Sequence, residues 1–469
     1  MNFLIALAAL VFLMFVAYRG FSVILFAPVA ALGAVLLTDP AAVPAAYTGL
    51  FMDKMVGFAK LYFPVFLLGA VFGKVIELSG FSKSIVAAVI GLVGAERAML
   101  AIVLVCAVLT YGGVSLFVVV FAAYPFAAEM FRAGNIPKRL IPGTIALGAF
   151  SFTMDSLPFS PQIQNIIPTT YFKTTNGAAP VLGTLGAIFI LIVGMIYLEW
   201  RRRVALAAGE GYGTNHSNEP PPVDKTTLAP AAIAFLPLVI VFVVNIVLGG
   251  FPGVFTGLID RFYGANYDLT LALDHAIPTT IAAIRAVWAV EGALLAGIVS
   301  VFAFAFGKLK GGFADGSKAA VGGALLAAMN TASEYGFGAV IAALPGFLAI
   351  RDALKAIPNP LVNEAITVTS LAGITGSASG GMSIALAAMA KDFIAMAEAA
   401  HIPPEVLHRV ASMASGGMDT LPHNGAVITL LAVTGLTHRE SYRDIFAVTC
   451  LKTAAVFFVI ALYYLTGLV

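Results

Sequence analysis

Long intervals of this chain contain no Asp, Glu, Lys or Arg, among them Ala98 to Ala128, Thr226 to Ile259 and Ala365 to Ala390. Each exceeds the roughly 20 residues with which a helix crosses a bilayer. Charged residues make up 11% of the chain and apolar ones 60%, whereas soluble domains carry about 25% charged residues. A water-soluble fold of this size has nowhere to hide so much apolar surface. The apolar stretches are continuous and rich in Ala, Leu, Ile and Gly, without the alternation of a membrane β-barrel. The expectation is an all-α polytopic membrane protein with about 11–12 transmembrane helices. Several apolar stretches, such as 139–152, 362–375 and 404–417, are too short to cross alone and read as re-entrant pieces.

The formal net charge is +2, which gives no reason to expect a nucleic-acid partner. Cys106 and Cys450 both lie in apolar runs and read as small core residues. The longest soluble-looking segment contains Arg201, Arg202, Arg203 and the run Pro220-Pro221-Pro222. Basic residues flanking a span favour the cytoplasmic side. The expected organisation is a first transmembrane repeat over 1–200, a polar cytoplasmic linker over 201–227 and a second repeat over 228–469.

The two halves resemble each other. Met154-Asp155-Ser156-Leu157-Pro158 matches Met418-Asp419-Thr420-Leu421-Pro422. Upstream, Ile136-Pro137 pairs with Ile402-Pro403, Gly112-Gly113-Val114-Ser115 with Gly380-Gly381-Met382-Ser383, and Leu78-Ser79-Gly80-Phe81 with Leu344-Pro345-Gly346-Phe347. Four matches in one order at nearly one offset point to a duplication. Duplicated membrane proteins with interrupted helices at matching places are the pattern of secondary transporters, whose repeats are often inverted and whose site lies at the breaks.

Polar residues inside membrane segments are costly and tend to be functional. In the first half, Asp155, Ser156, Ser160, Gln162 and Asn165 crowd around two prolines; in the second, Asp419, Thr420, His423 and Asn424 surround Pro422. Proline interrupts a helix, so both clusters read as tips of re-entrant hairpins, near 153–172 and 418–437, or else as external loops with helix caps. A helix N-terminus at such a tip suits a carboxylate ligand. Asp155 and Asp419 fit either a cap or a proton or cation ligand. Thr375, Ser377, Ser379, Gly380 and Gly381 suit close ligand approach, or close helix packing. Asn330, Thr331, Ser333 and Glu334 lie in a long apolar segment. A carboxyl embedded there loses hydration, which favours its protonated form, and Glu334 is the leading candidate for proton coupling; the other reading puts it near an interface. No phosphate-binding loop, paired Cys motif or metalloprotease motif is present. That argues against an ATP-driven pump or an enzyme, and for a protein without a cofactor or metal.

At these residues the chain resembles the gluconate permease family within the ion transporter superfamily. The resemblance covers nearly the whole length and is most specific at Thr375 to Gly381 and at Ala414 to Gly425. The second motif is more similar to the D-β-hydroxybutyrate permeases of that family than to the gluconate carriers. The resemblance implies proton-coupled symport of a small hydroxy-monocarboxylate across the bacterial inner membrane, inverted repeats each with a hairpin, and a homodimer. The runner-up is a sodium-coupled carrier of di- or tricarboxylates. With no embedded Arg or Lys recognised at the site, the substrate carboxylate is expected to rest on helix N-termini and on hydroxyl and amide donors.

Overall fold

The structure is a computed structural model that describes residues 2–19, 21–214, 216–220, 228–269, 277–347, 356–422 and 424–469. Nearly all regular structure is helical. The first half holds α1 (Asn2–Tyr18), α2 (Val23–Thr38), α3 (Met52–Leu78), α4 (Phe81–Val93), α5 (Ala98–Tyr111), α6 (Leu116–Ala133), α7 (Ile141–Ala149), the single turn α8 (Phe152–Asp155), α9 (Ile163–Phe172) and α10 (Pro180–Ala207). The second half begins with α11 (Ala231–Gly249). Two small antiparallel β-hairpins follow, β1 (Gly250–Phe251) with β2 (Phe255–Thr256) and β3 (Asn266–Leu269) with β4 (Ile277–Thr280), separated by α12 (Leu258–Tyr263). It continues with α13 (Ile281–Leu309), α14 (Phe313–Ala343), α15 (Pro360–Thr375), α16 (Ala378–Ala399), α17 (Pro404–Gly416), a 3-10 turn (Gly417–Thr420), α18 (Gly425–Thr434) and α19 (His438–Thr466).

Among the described residues, six helical spans are long and apolar enough to cross a membrane: 40–78, 180–207, 231–249, 284–309, 378–399 and 438–466. Shorter apolar helices accompany them. Local chemistry sets several boundaries. Pro180, Pro360 and Pro404 each open a helix, where the missing N–H costs nothing. Gly376 ends α15 in the left-handed region at φ 68°. Thr437 and Glu440 form a capping box at the start of α19.

The duplication is visible in the packing. Helix α3 packs on α14, and α10 packs on α19, each on its own counterpart. Other contacts come as exchanged pairs: α2 lies on α14 as α13 lies on α3, and α9 on α16 as α18 on α6. Such reciprocity is the mark of a two-fold relation. Its axis can be located. Met55, near the start of α3, meets Ser333 toward the end of α14, while Leu78 at the end of α3 meets Gly316 at the start of α14. Phe189 stacks on Phe458, and Tyr197 reaches back to Asp444. Both counterpart pairs are therefore antiparallel. A two-fold axis along the helices would leave them parallel, so the axis runs across them and the repeats are inverted.

Two expected boundaries shift. The side-by-side helical hairpins are not at 153–172 and 418–437. Helix α15 packs along α16, and α5 against α6, whereas α7 and α9, or α17 and α18, do not pack along each other. The paired arms flank Gly112-Gly113 and Gly376-Ser377; the proline-rich stretches unwind helices whose two pieces stay apart. Close contact explains the pairing: Gly381 of α16 faces the backbone of Ala372 of α15. The linker also begins later than 201, because α10 runs to Ala207. Glu199 pairs with Arg202 and Arg203 one turn on, and Arg201 turns inward to Asp444 at 2.6 Å.

Candidate functional site

Four interruptions of the helical chain meet inside the protein: the turns at Gly112-Gly113 and Gly376-Ser377, and the unwound segments after Asp155 and after Thr420. Two hydrogen bonds tie them in matching fashion. Gln162 immediately precedes α9, and its Nε2 donates to the carbonyl of Thr110 at 2.8 Å. Asn424 immediately precedes α18, and its Nδ2 donates to the carbonyl of Gly376 at 3.0 Å. Each unwound segment is thus fastened to the turn of its own helical pair by an amide.

A polar cluster gathers around the start of α16. Ser377 caps that helix, accepting from the N–H of Gly380 at 3.1 Å. Asp419 Oδ1 accepts from the N–H of Ala378 at 3.2 Å and Oδ2 accepts from Gln164 Nε2 at 2.8 Å. Thr331 Oγ1 lies 3.3 Å from Ser379 Oγ. Glu334 is 4% exposed and reaches from α14 against Gly380, where a side chain would collide with its carboxyl group. Its Oε2 is buried without a hydrogen-bond partner. The positive end of α16 therefore faces two protein carboxyls, Asp419 and Glu334.

The remaining candidates divide by what they touch. Thr375 bonds its own helix, to Leu371 O at 3.1 Å. Gly381 lies against α15 and allows the two helices to close. Asn330 is half-buried one position before Thr331, and Ser333 points the other way, to Met55. Ser156, Ser160, Asn165 and Thr420 are wholly buried, and their donors serve the protein itself. Ser156 bonds Asp155 and Ser160 bonds Thr153 O, both at 2.7 Å; Asn165 bonds Asn176 O at 2.7 Å; Thr420 meets Thr449 at 2.6 Å. His423 lies outside the described residues.

One expectation fails outright: the interior does contain fixed positive charge. Lys452 of α19 and Arg409 of α17 are both buried. Lys452 Nζ is 2.8 Å from Asp155 Oδ2. Arg409 donates to Asp155 O at 2.9 Å, Asn165 Oδ1 at 3.1 Å and Ala178 O at 2.7 Å. Its neighbour His408 bridges Thr174 and Asn165. Asp155 is thereby the partner of an ammonium. The sequence carried the signal, since Lys452 is the single charged residue in the 25 positions 445–469. A charge at the middle of a span marks a functional or pairing role. Tyr171 has no such signal in the sequence. Tyr171 OH donates to Tyr335 OH at 2.8 Å, linking α9 to α14 beside Glu334; nothing in its spacing distinguishes it from a packing aromatic.

Inverted helical repeats with paired interruptions at an interior polar cluster are a pattern found in membrane transporters. No family model matches the chain. It is 58% identical over 483 aligned positions, covering all of both proteins, to the "Uncharacterized transporter YxjC" of Bacillus subtilis (strain 168), and it belongs to that transporter's family. Its fold is also similar to the crystal structure of the Alcanivorax borkumensis YdaH transporter, which has an unusual topology, with a TM-score of 0.54 over 92% of this chain and 90% of that one at 15% identity.

Proposed function

We propose that this protein carries a small hydroxy-monocarboxylate, such as 3-hydroxybutyrate or a gluconate-like acid, across the cell inner membrane in symport with protons. The observation that carries the reading is Glu334. It is a buried carboxyl with an unpartnered oxygen, set against the helix start where two chain interruptions are tied together. A carboxyl in such a place trades a proton against the charge of its surroundings. With Asp155 engaged by Lys452, the coupling role falls to Glu334, with Asp419 beside it.

Ser377, Ser379, Thr331 and Asn330 lie about this cluster, and among them Ser377, Ser379 and Asn330 keep some exposure. Hydroxyl and amide donors of this kind suit the hydroxyl and single carboxylate of a short hydroxy acid. Protonation of Glu334 would relieve its repulsion of an incoming carboxylate, which links the two fluxes. The resemblance at Thr375–Gly381 and Ala414–Gly425 supports the substrate class and, with it, a homodimer.

The test is uptake of radiolabelled 3-hydroxybutyrate into proteoliposomes under an inward proton gradient. Accumulation that a protonophore abolishes, and that lactate and gluconate reduce more than succinate does, is the expected result. Uptake that requires sodium and is blocked by succinate would replace this reading with the sodium-coupled di- or tricarboxylate carrier.

A further inference from the structure

The ammonium of Lys452 has three oxygen neighbours. It donates to the carbonyl of Phe150 at 2.6 Å and to the carbonyl of Gly416, and it faces Asp155 Oδ2 at 2.8 Å. The two carbonyls stand just before the matching motifs of the two repeats, Phe150 five positions before Asp155 and Gly416 three before Asp419. Phe150 caps the C-terminal end of α7, and Gly416 is the last residue of α17. The C-terminal ends of two half-helices therefore converge on one point from opposite repeats.

Such ends expose carbonyls without intrahelical partners and carry partial negative charge. Add the Asp155 carboxylate, and the point calls for a cation whatever else the protein does. The donor set, two main-chain carbonyls and a carboxylate, is the oxygen set that suits small hard cations. Half-helix C-terminal ends are also where membrane transporters coordinate sodium. Gly416 makes the approach possible: a side chain there would collide with the Asp155 carboxylate and meet Lys452 Nζ at 2.9 Å. The first half offers no second copy of the lysine, since α10 has no charged residue before Glu199. A single tethered cation serves both repeats.

We propose that Lys452 is a resident cation. Its ammonium fills a monovalent-cation site made by Phe150 O, Gly416 O and the Asp155 carboxylate, so the wild-type protein needs no free cation there, and removing the side chain creates a site for one. The inference bears on the coupling ion of the transport reading, but its first test does not rest on that reading.

The full-length protein is purified in detergent as wild type, Lys452→Ala, and Lys452→Ala combined with Asp155→Asn. Thermal unfolding is followed in choline, sodium, lithium and ammonium chlorides at equal ionic strength. For Lys452→Ala, sodium, lithium or ammonium raises the midpoint by several degrees over choline. Wild type and the double variant show no such difference. If Lys452→Ala is not folded in choline, recovery of monodisperse protein from membranes solubilised in sodium or ammonium is scored instead. A Lys452→Ala variant indifferent to the cation, unfolded in every salt, or matched in its response by wild type overturns the proposal. In proteoliposomes the same variant should take up substrate only when a small monovalent cation is supplied, while wild type is indifferent. Absence of hydroxybutyrate uptake by wild type would count against the transport reading and leave the unfolding result standing.

Discussion

Around the first unwound segment the protein surrounds a carboxylate with fixed cations; around the second it surrounds the equivalent carboxylate with neutral donors. Asp155 faces Lys452, and Arg409 grips its main-chain carbonyl. Asp419 has the amide of Gln164 and the N–H of Ala378. The amide ties at Gln162 and Asn424 are alike, and so are the positions of the two acids in the repeat. Duplication supplied the shape twice, and divergence then assigned the halves different electrostatics. A buried carboxylate beside an ammonium has a fixed charge. A carboxyl beside neutral donors and a second acid, Glu334, is free to gain or lose a proton. The first half reads as the rigid member and the second as the responsive one.

The largest effect tests the rigid member. Asp155→Asn or Lys452→Met leaves the other charge buried and unpaired, which costs about 3–5 kcal/mol. Thermal unfolding in detergent should show either single variant strongly destabilised, and the double variant recovering most of the loss. Equal losses in the single and double variants would mean that the pair is not the unit of stability there.

Next comes the responsive member. Glu334→Gln should remove proton-driven accumulation while leaving exchange of external for internal substrate near wild type. The measurement is uptake with and without a proton gradient, beside counterflow in the same vesicles. Retained accumulation would move coupling to Asp419 or elsewhere.

A smaller difference separates the two ties. Asn424→Ala removes a cap from α18, worth about 1 kcal/mol, and also an amide contact to Asp419 at 3.4 Å. Gln162→Ala removes one hydrogen bond, worth about 0.5–1.5 kcal/mol. Stability should fall more for Asn424→Ala, and only that variant should alter the pH dependence of uptake. Equal effects would erase the asymmetry at the level of the ties.

The smallest effect is a control outside the membrane. Glu210, in the linker, holds Arg139 at 2.6 Å, and this hydrogen bonding keeps its carboxyl below the usual range. A depressed value means that the contribution is present above the unfolded-state value of about 4.3 and fades as pH falls through the folded-state one. The pair is partly exposed, so Glu210→Gln should cost less than about 1 kcal/mol at pH 7, and nothing at strongly acid pH. A loss as large as that of Asp155→Asn would contradict the distinction between buried and solvated pairs.

Much of the site could be read from the chain, and the misreadings have physical causes. Proline and glycine announced every interruption, because each alters the backbone locally. Whether an interruption bends the chain back on itself or merely unwinds a helix depends on which helices then touch. That information is absent from the local sequence, and the hairpins were accordingly expected at the proline-rich stretches instead of at Gly112-Gly113 and Gly376-Ser377. Lys452 was legible as a lone charge in an apolar run, but its partner Asp155 lies almost 300 positions away.

The sequence by itself determined that the chain is helical, that it lives in a membrane, that it is a duplication and where its helices break, since uncharged length, composition and proline act over a few residues. Only the tertiary structure decided that the repeats are inverted, which segments pair, and that one lysine spans both halves. Those facts are relations between distant residues, and they are fixed when helices from opposite repeats come to lie against each other.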